Sequence, residues 1–316
     1  MTGYIIRRLF TAVIVTFGIA AIAFLLLHAL SSSPVNAVLG PKATPQAIKA
    51  WNKTHGYDRS LIAQFLSYLN NLLHLNFGYS YKEGQSVTAL FDENAGRSAY
   101  LSLASLFLAL IVAIPIGIAQ AVKRNSVGDY AVTGVTFTLY SMPSFLLGLI
   151  LIQIFALDLH VLPALVGDNI TTTWGAITHP LELLLPIVTL AAITVASFSR
   201  YMRSSALDAL AQDYIRLARA KGLSQRLVLT RHLLRNACLP MVTLVGLSIP
   251  ALLAGNLLTE VLFNYPGTGL LFWNALGNED YPILLAYTVI TGVLTVIGNL
   301  LADIAVTVAD PRIRLG

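Results

Sequence analysis

An all-α, polytopic membrane protein with six transmembrane helices is the fold class this sequence predicts, on three observations. First, 56% of the 316 residues are hydrophobic and 11% are charged, with a mean hydropathy of +0.72; a soluble domain carries about 25% charged residues. Second, six runs contain no Asp, Glu, Lys or Arg: 9–30, 98–122, 130–157, 183–199, 237–259 and 283–302. Roughly 20 mostly apolar residues suffice for a helix to cross a bilayer. Third, the cations are segregated. Of the 20 Lys and Arg, 14 fall at the N-terminus, in the Lys123-Arg124 loop, between Arg200 and Arg235, or at Arg312 and Arg314, and the loops 158–182 and 263–282 have none. The positive-inside rule then places both termini in the cytoplasm. This distribution also argues against nucleic acid as the partner of the net charge of +5.

The first run follows Arg7 and Arg8 and precedes Ala29-Leu30-Ser31, which superficially fits a signal peptide. Its length of 22 residues exceeds the usual 7–15 of a signal core, so 1–30 reads as a cytoplasmic end plus a retained first span. Residues 31–97 form the one sizeable outer segment. Pro34, Gly40, Pro41 and Pro45 make its start loop-like. Thr44 and Pro45 mark a helix start as N-cap and first residue. Ile62, Phe65, Leu66, Leu69, Leu72 and Leu73 recur at helical spacing. The segment reads as short amphipathic helices at the outer face.

The core is expected over 98–308, with a tail at 309–316. Pro115 and Gly117 lie inside the second run and Pro143 inside the third, positions that kink membrane helices. Such kinks suit either a bundle that changes shape or static packing. The fourth run is the shortest.

Between the fourth and fifth runs lies a cytoplasmic loop, 204–239. The stretch 213–240, which runs to the end of this loop and one residue past it, holds six cations: Arg216, Arg219, Lys221, Arg226, Arg231 and Arg235. Ala206, Leu207, Leu210, Tyr214, Leu217, Ala218 and Lys221 are spaced by three or four, which predicts one amphipathic helix. Gly222 is placed to cap it in the left-handed conformation. Basic amphipathic helices serve either as docking elements for a partner protein or as contacts to anionic lipid, and the pattern alone leaves both open.

The polar residues near the membrane are few. Glu260 closes the fifth run and Asp303 the sixth; Asn299 and Asp303 are one turn apart. They serve either helix–helix hydrogen bonding or a gate, and Asn256 and Glu260 are expected to lie toward a transport pathway. Catalytic and metal sets are absent from the pattern. The lone Cys238 has no partner, and the six His are scattered without ligand spacing. There is no phosphate-binding G-x-x-x-x-G-K-[ST] loop and no H-E-x-x-H, so the chain is not expected to bind ATP, a cofactor or a metal itself. No G-x-S-x-G occurs either.

The string ARAKGL at 218–223, followed by RHLLRNACLP at 231–240, resembles the cytoplasmic loop of ABC importer permeases, most closely the oligopeptide/dipeptide/nickel branch. Asp213-Tyr214, His232, Arg235-Asn236-Ala237 and Pro240 fit the branch form; the glutamate of the general permease signature has no counterpart, Arg216 standing there. The resemblance continues through YIIRRL at the start, Ser141-Met142-Pro143-Ser144-Phe145, Glu260, Pro266, Gly267 and Gly269, Asp280-Tyr281-Pro282, and Asn299 to Asp303. Ser31-Ser32-Ser33-Pro34 departs from the usual Pro-Gly-Asp-Pro.

The resemblance implies a type I permease fold in a prokaryotic cytoplasmic (inner) membrane. It implies a second homologous permease, two cytoplasmic ATPases that carry ATP and Mg, and an extracytoplasmic substrate-binding protein. The ATPase-docking residues it implies are Asp213, Tyr214, Arg216, Ala218, Arg219, Ala220, Lys221, Gly222 and Leu223. The pathway or gate candidates are Asn256, Glu260, Asn299 and Asp303. Di- or oligopeptides are the expected solute, with nickel or another small solute as the alternative. A reading of another class, an ATP-independent channel or carrier, would transport without an ATPase.

Overall fold

The computed structural model describes residues 2–30, 35–40, 43–80 and 82–309; the side chains at 2–6, 8, 9, 27, 30, 36, 37, 249–254 and 302–309 lie outside the described set. The order is α1 (Thr2–Leu30), α2 (Val35–Leu39), α3 (Pro45–His55), α4 (Leu61–Leu73), a two-stranded antiparallel hairpin of β1 (Tyr79–Ser80) and β2 (Gln85–Ser86), then α5 (Val87–Val122). There follow α6 (Val127–Ser141), α7 (Ser144–Leu151) with a π-helical extension (Ile152–Asp158), α8 (Thr173–Thr178) and α9 (Leu184–Leu210). The loop holds α10 (Asp213–Ala220), α11 (Gln225–Leu227), a π-helical stretch (Val228–Leu233) and α12 (Leu234–Ala237). The chain ends with α13 (Leu239–Ala254), α14 (Leu257–Leu262), α15 (Thr268–Gly277) and α16 (Tyr281–Ala309).

All six apolar runs are helical, but not all as straight rods. Among the described residues, Val87–Val122, Leu184–Leu210 and Tyr281–Leu301 are each long and apolar enough to cross a membrane; Phe10–Leu26 and Leu239–Ser248 are shorter apolar helices. The third run departs from a single kinked span: α6 and the α7 unit meet at 108°. Met142 sits at φ −85°, ψ 132°. Proline disfavours the helical region for the residue before it, so Pro143 ends one helix and starts another. Pro115, by contrast, lies inside an uninterrupted α5.

Three expected boundaries move. The division at 97 falls inside α5, which starts at Val87 under a Ser86 cap accepting from Ala89 N at 3.3 Å. These residues were expected in the outer segment of short amphipathic helices, yet Val87, Leu90 and Phe91 pack against Ala275, Ile283 and Leu284. The fifth run breaks at Gly255 (φ +78°), before α14. Finally, 206–221 is not one helix: α9 ends at Leu210 and α10 begins at Asp213. The turn at Ala211 and Gln212 lets α10 bury a face of its own.

The bundle is organised on α5 and α9. Ala109, Ala113, Gly117 and Ala121 of α5 are all buried at four-residue spacing, a small-residue ridge that lets two backbones approach closely. At Gly117 a Cβ would lie 2.6 Å from Met202 Cβ and 2.7 Å from Ser199 O. In the segment between α1 and α5, Thr44 caps α3 through Ala47 N (3.3 Å), with Pro45 at the helix start. Phe65 packs on Phe17 and Phe24 (ring centroids 5.8 and 5.3 Å), and Tyr68 stacks on Phe24 (5.7 Å), fixing α4 to α1.

Candidate functional site

Helix α10 has eight residues, too few to be stable alone in water. It is held by tertiary burial. Ile215 has no exposed surface and Ala218, one turn on, is buried with it against Met202, Ala206, Val228, Leu233 and Ala237. Burying one Ile stabilises by roughly 1.5–3 kcal/mol. The end is closed by a Schellman arrangement: Gly222 N–H donates to Arg219 O (2.9 Å) and Leu223 N–H to Ala218 O (3.3 Å), with Gly222 at φ +76°.

The opposite face is open. Asp213, Tyr214, Arg216, Leu217, Arg219, Ala220, Lys221 and Gly222 are exposed, while Leu223 is half-buried. The docking residues named from sequence are thus brought together on one ridge, except that Ala218 points inward and anchors it. The Asp213–Arg216 ion pair (3.4 Å) has side chains 97% and 74% exposed; such a pair adds little stability. Nothing near Gly222 would meet an added Cβ, so its surface is free for a close-fitting partner.

An ion pair with Asp129 enclosed and Arg203 partly exposed ties this region to the turn between α5 and α6. Arg203 of α9 donates from Nε (2.9 Å) and Nη2 (2.7 Å) to the two oxygens of Asp129. Asp129 also accepts from Asn125 N (3.0 Å) and Gln120 Nε2 (3.4 Å). It lies in the first turn of α6, whose N-cap Ser126 accepts from Asp129 N (3.2 Å). The α5–α6 turn is thereby fixed to α9, the helix that leads into α10. Sequence reasoning missed this pair; Ser126-x-x-Asp129 was the available signal.

Glu260 is the second centre. It has no exposed surface. Oε1 accepts from Ser98 Oγ (2.8 Å) and Asn256 N (3.1 Å); Oε2 accepts from Gly269 N (2.7 Å) and Leu270 N (3.2 Å). The last two are otherwise unpaired donors in the first turn of α15, so the carboxylate satisfies them and meets the positive end of that helix. Ser98 Oγ in turn accepts from Thr268 N (2.8 Å), and Asn256 Nδ2 donates to Ser102 Oγ (2.8 Å). The packing leaves no room for a Cβ at Gly255, Gly267 or Gly269, each of which borders the carboxylate. This arrangement locks α5, α14 and α15 together. Ser98, Ser102 and Gly255 were not singled out from sequence, and Gly267 and Gly269 entered only through the family resemblance.

The four pathway candidates do not form one cluster. Asn256 is half-buried beside Glu260. Asn299 is exposed and lies 18 residues along α16 from Tyr281, about 27 Å at 1.5 Å per residue. Asp303 is on the same helix, with its side chain outside the described residues. Among the described residues, no group of three or more His, Cys, Asp or Glu is placed to hold a metal ion.

A family model described as "Binding-protein-dependent transport system inner membrane component" matches residues 113–315, and the corresponding N-terminal model, "Binding-prot-dependent transport system membrane comp, N-term", matches residues 1–95. The chain belongs to this family. It is 36% identical to the oligopeptide transport system permease protein AppB of Bacillus subtilis over 99% of this chain and 100% of that one. It is 34% identical to a putative peptide permease of Brucella ovis, over the full length of both. The glutathione transport system permease protein GsiC of Salmonella typhimurium is also 34% identical, over 99% of each. The chain is therefore an ABC importer permease subunit of the peptide/dipeptide/nickel branch, a multi-pass inner membrane protein working in a complex and without an ATPase site of its own.

Proposed function

We propose that this subunit forms half of the translocation pathway of an ATP-driven importer of di- or oligopeptides, and that α10 is the element that an ATPase subunit grips. Its partners are a second, homologous permease, two cytoplasmic ATPases carrying ATP and Mg, and an extracytoplasmic binding protein that delivers solute. Both termini face the cytoplasm. The observation that carries this reading is the division of labour on α10. Ile215 and Ala218 root it in the bundle while the Tyr214–Leu217–Lys221 side and the Gly222 corner stay open. A force applied to such a ridge passes into α9, and through Arg203–Asp129 into α5 and α6, as a rigid-body movement. The names of the relatives, peptide and glutathione permeases, support a peptide-like solute.

Within this reading Asn256 and Glu260 hold the outer gate by locking α5, α14 and α15, and Asn299 and Asp303 act at the inner end of α16. Peptide is favoured over nickel as solute. The test is reconstitution of the four-part membrane complex with its binding protein in proteoliposomes, with ATP inside or outside and peptide or Ni²⁺ as solute. Peptide uptake that needs ATP on the ATPase side is expected, and Gly222→Asp abolishes it while the chain still inserts. Uptake without any ATPase, or wild-type uptake by Gly222→Asp, contradicts the proposal.

A further inference from the structure

Two cavities on the outer side of the chain meet each other, and neither belongs to the coupling region or the Glu260 lock. The upper one, about 360 Å³, lies between α1, α3, α4 and the start of α16. Its polar lining includes His28, Arg59, Gln64, Ser67, Asn71 and Asn76, and among the described residues no Asp or Glu lines it. His28 Nε2 and Gln64 Oε1 are 3.0 Å apart, and Gln64 Nε2 donates to Tyr57 O (3.2 Å) and Arg59 O (2.9 Å), so the rim is built rather than loose. The Tyr68 hydroxyl is enclosed at the cavity wall and makes no hydrogen bond. An unsatisfied buried hydroxyl is costly, so a small rotation toward an acceptor in the cavity is favoured.

The lower cavity, about 670 Å³, is a groove between α1, the end of α4 and α16. Its walls are almost wholly apolar, among them Phe17, Ala20, Leu69, Val289 and Val293. Leu72 and Phe77 line both cavities, so the two adjoin across these side chains. Register along α16 sets their depth. The polar part touches Tyr281, Pro282, Leu285 and Ala286, and the groove touches α16 from Val289 to Ile297. At 1.5 Å per residue the groove runs from about 12 to about 24 Å below the outer end of that helix. Polar, cation-bearing lining therefore lies at the membrane surface, and apolar lining lies directly below it within the ~30 Å hydrocarbon core. Helix α4 also exposes Ile62, Leu66 and Leu73 beside the site, an apolar stripe suited to lie in the membrane interface.

We infer that these adjoining cavities bind one outer-leaflet phospholipid, its anionic head group in the upper cavity beside Arg59 and one acyl chain in the groove between α1 and α16. The Arg59 guanidinium in the upper lining suits an anionic phosphate group; Lys82, Glu279 and Asp280 line the cavity that adjoins it through Tyr57, Asn71 and Tyr281. The level of the groove selects a chain that enters from the outer leaflet. A bound lipid here would wedge α4 against the first and last spans, and would make the outer segment sensitive to lipid composition.

The test uses the assembled transporter in nanodiscs made of phosphatidylcholine with a small fraction of phosphatidylglycerol bearing a photoreactive group in its acyl chain. After illumination, adducts are mapped by mass spectrometry. Labelling concentrated on 12–20, 69–77 and 289–297 is expected. Val13→Trp, an exposed position at the groove's inner end, should reduce labelling at 289–297 about tenfold, a 1.4 kcal/mol effect. Arg59→Gln should lower the preference for phosphatidylglycerol over a matching phosphatidylcholine probe roughly fivefold, the contribution of one interfacial cation. Complex yield and melting temperature serve as folding controls for both variants. Labelling spread evenly over all lipid-facing helices overturns the inference. So does a photocross-linker at Val13 that reacts with the second permease rather than with lipid.

Discussion

Replacing Arg203 by Met removes one side of the bidentate pair that joins α9 to the start of α6. Asp129 is left almost fully enclosed, with the Asn125 N–H at 3.0 Å and the Gln120 amide at 3.4 Å as its remaining donors. Removing one partner of a buried ion pair costs about 3–5 kcal/mol. The Arg203 side chain is 29% exposed and two other donors remain, so the cost should fall near the lower end, about 3 kcal/mol. Asp129→Asn should cost a similar amount, since it leaves Arg203 facing an amide that supplies one acceptor. In the double variant no uncompensated charge remains. Its loss should exceed either single loss by no more than about 1 kcal/mol, a coupling energy of roughly 2 kcal/mol. Reversible unfolding in mixed detergent micelles, applied to the wild type and the three variants, reads this cycle. In proteoliposomes the single variants should hydrolyse ATP with diminished solute uptake, because α10 no longer moves the α5–α6 turn. Strict additivity of the two substitutions, or full uptake in Arg203→Met, would refute the reasoning.

Glu260→Gln turns one carboxylate oxygen into a donor that faces backbone N–H groups or the Ser98 hydroxyl. A loss of about 1–3 kcal/mol in unfolding free energy is expected, together with reduced uptake and intact assembly; unchanged uptake, solute range and stability would remove Glu260 from the gate. Gly117→Leu forces apart the backbones of α5 and α9 and should cost at least about 1–3 kcal/mol, read as loss of monodisperse protein in gel filtration. Asp280, which accepts from the Ser80 hydroxyl, is held by burial above its ordinary value of 3.8, with the Ser80 and Ile283 hydrogen bonds opposing. The folded chain then binds this proton more tightly than the unfolded chain. Its contribution to stability is greatest below the ordinary range and declines as pH rises through the raised value. Thermal melting across pH 3–8 should show that slope, and Asp280→Asn should flatten it.

The fold class was readable because its signals are local. An apolar run of sufficient length is a membrane helix in almost any context, and Thr44-Pro45 and Gly222 cap helices through bonds within a few residues of themselves. The errors arose where a nonlocal contact decides. Residues 87–97 carry charges and read as part of the outer segment, yet Val87, Leu90 and Phe91 pack on α16; 206–221 keeps helical spacing through a real break, because both halves bury the same kind of residue. The bend at Pro143 was foreseen as a kink, but its size depends on what each half packs against. For the candidate site, the exposed ridge of α10 was legible as a basic amphipathic pattern closed by a glycine. The Glu260 lock was not. Its donors come from Ser98, Asn256, Gly269 and Leu270; only the first is a side chain, and it lies 162 positions away.

The account's central claim is that the open face of α10 contacts an ATPase subunit. In a Cys238→Ser background, Leu217→Cys and Arg219→Cys can be tested for short-span thiol cross-linking to the ATPase co-expressed with the permease pair, with and without ATP. Cross-links from both positions, none from the buried Ile215→Cys, and a change in yield on ATP binding are the predicted result. An ATPase that co-purifies yet cross-links from neither exposed position, while both label freely with a water-soluble thiol reagent, would contradict it.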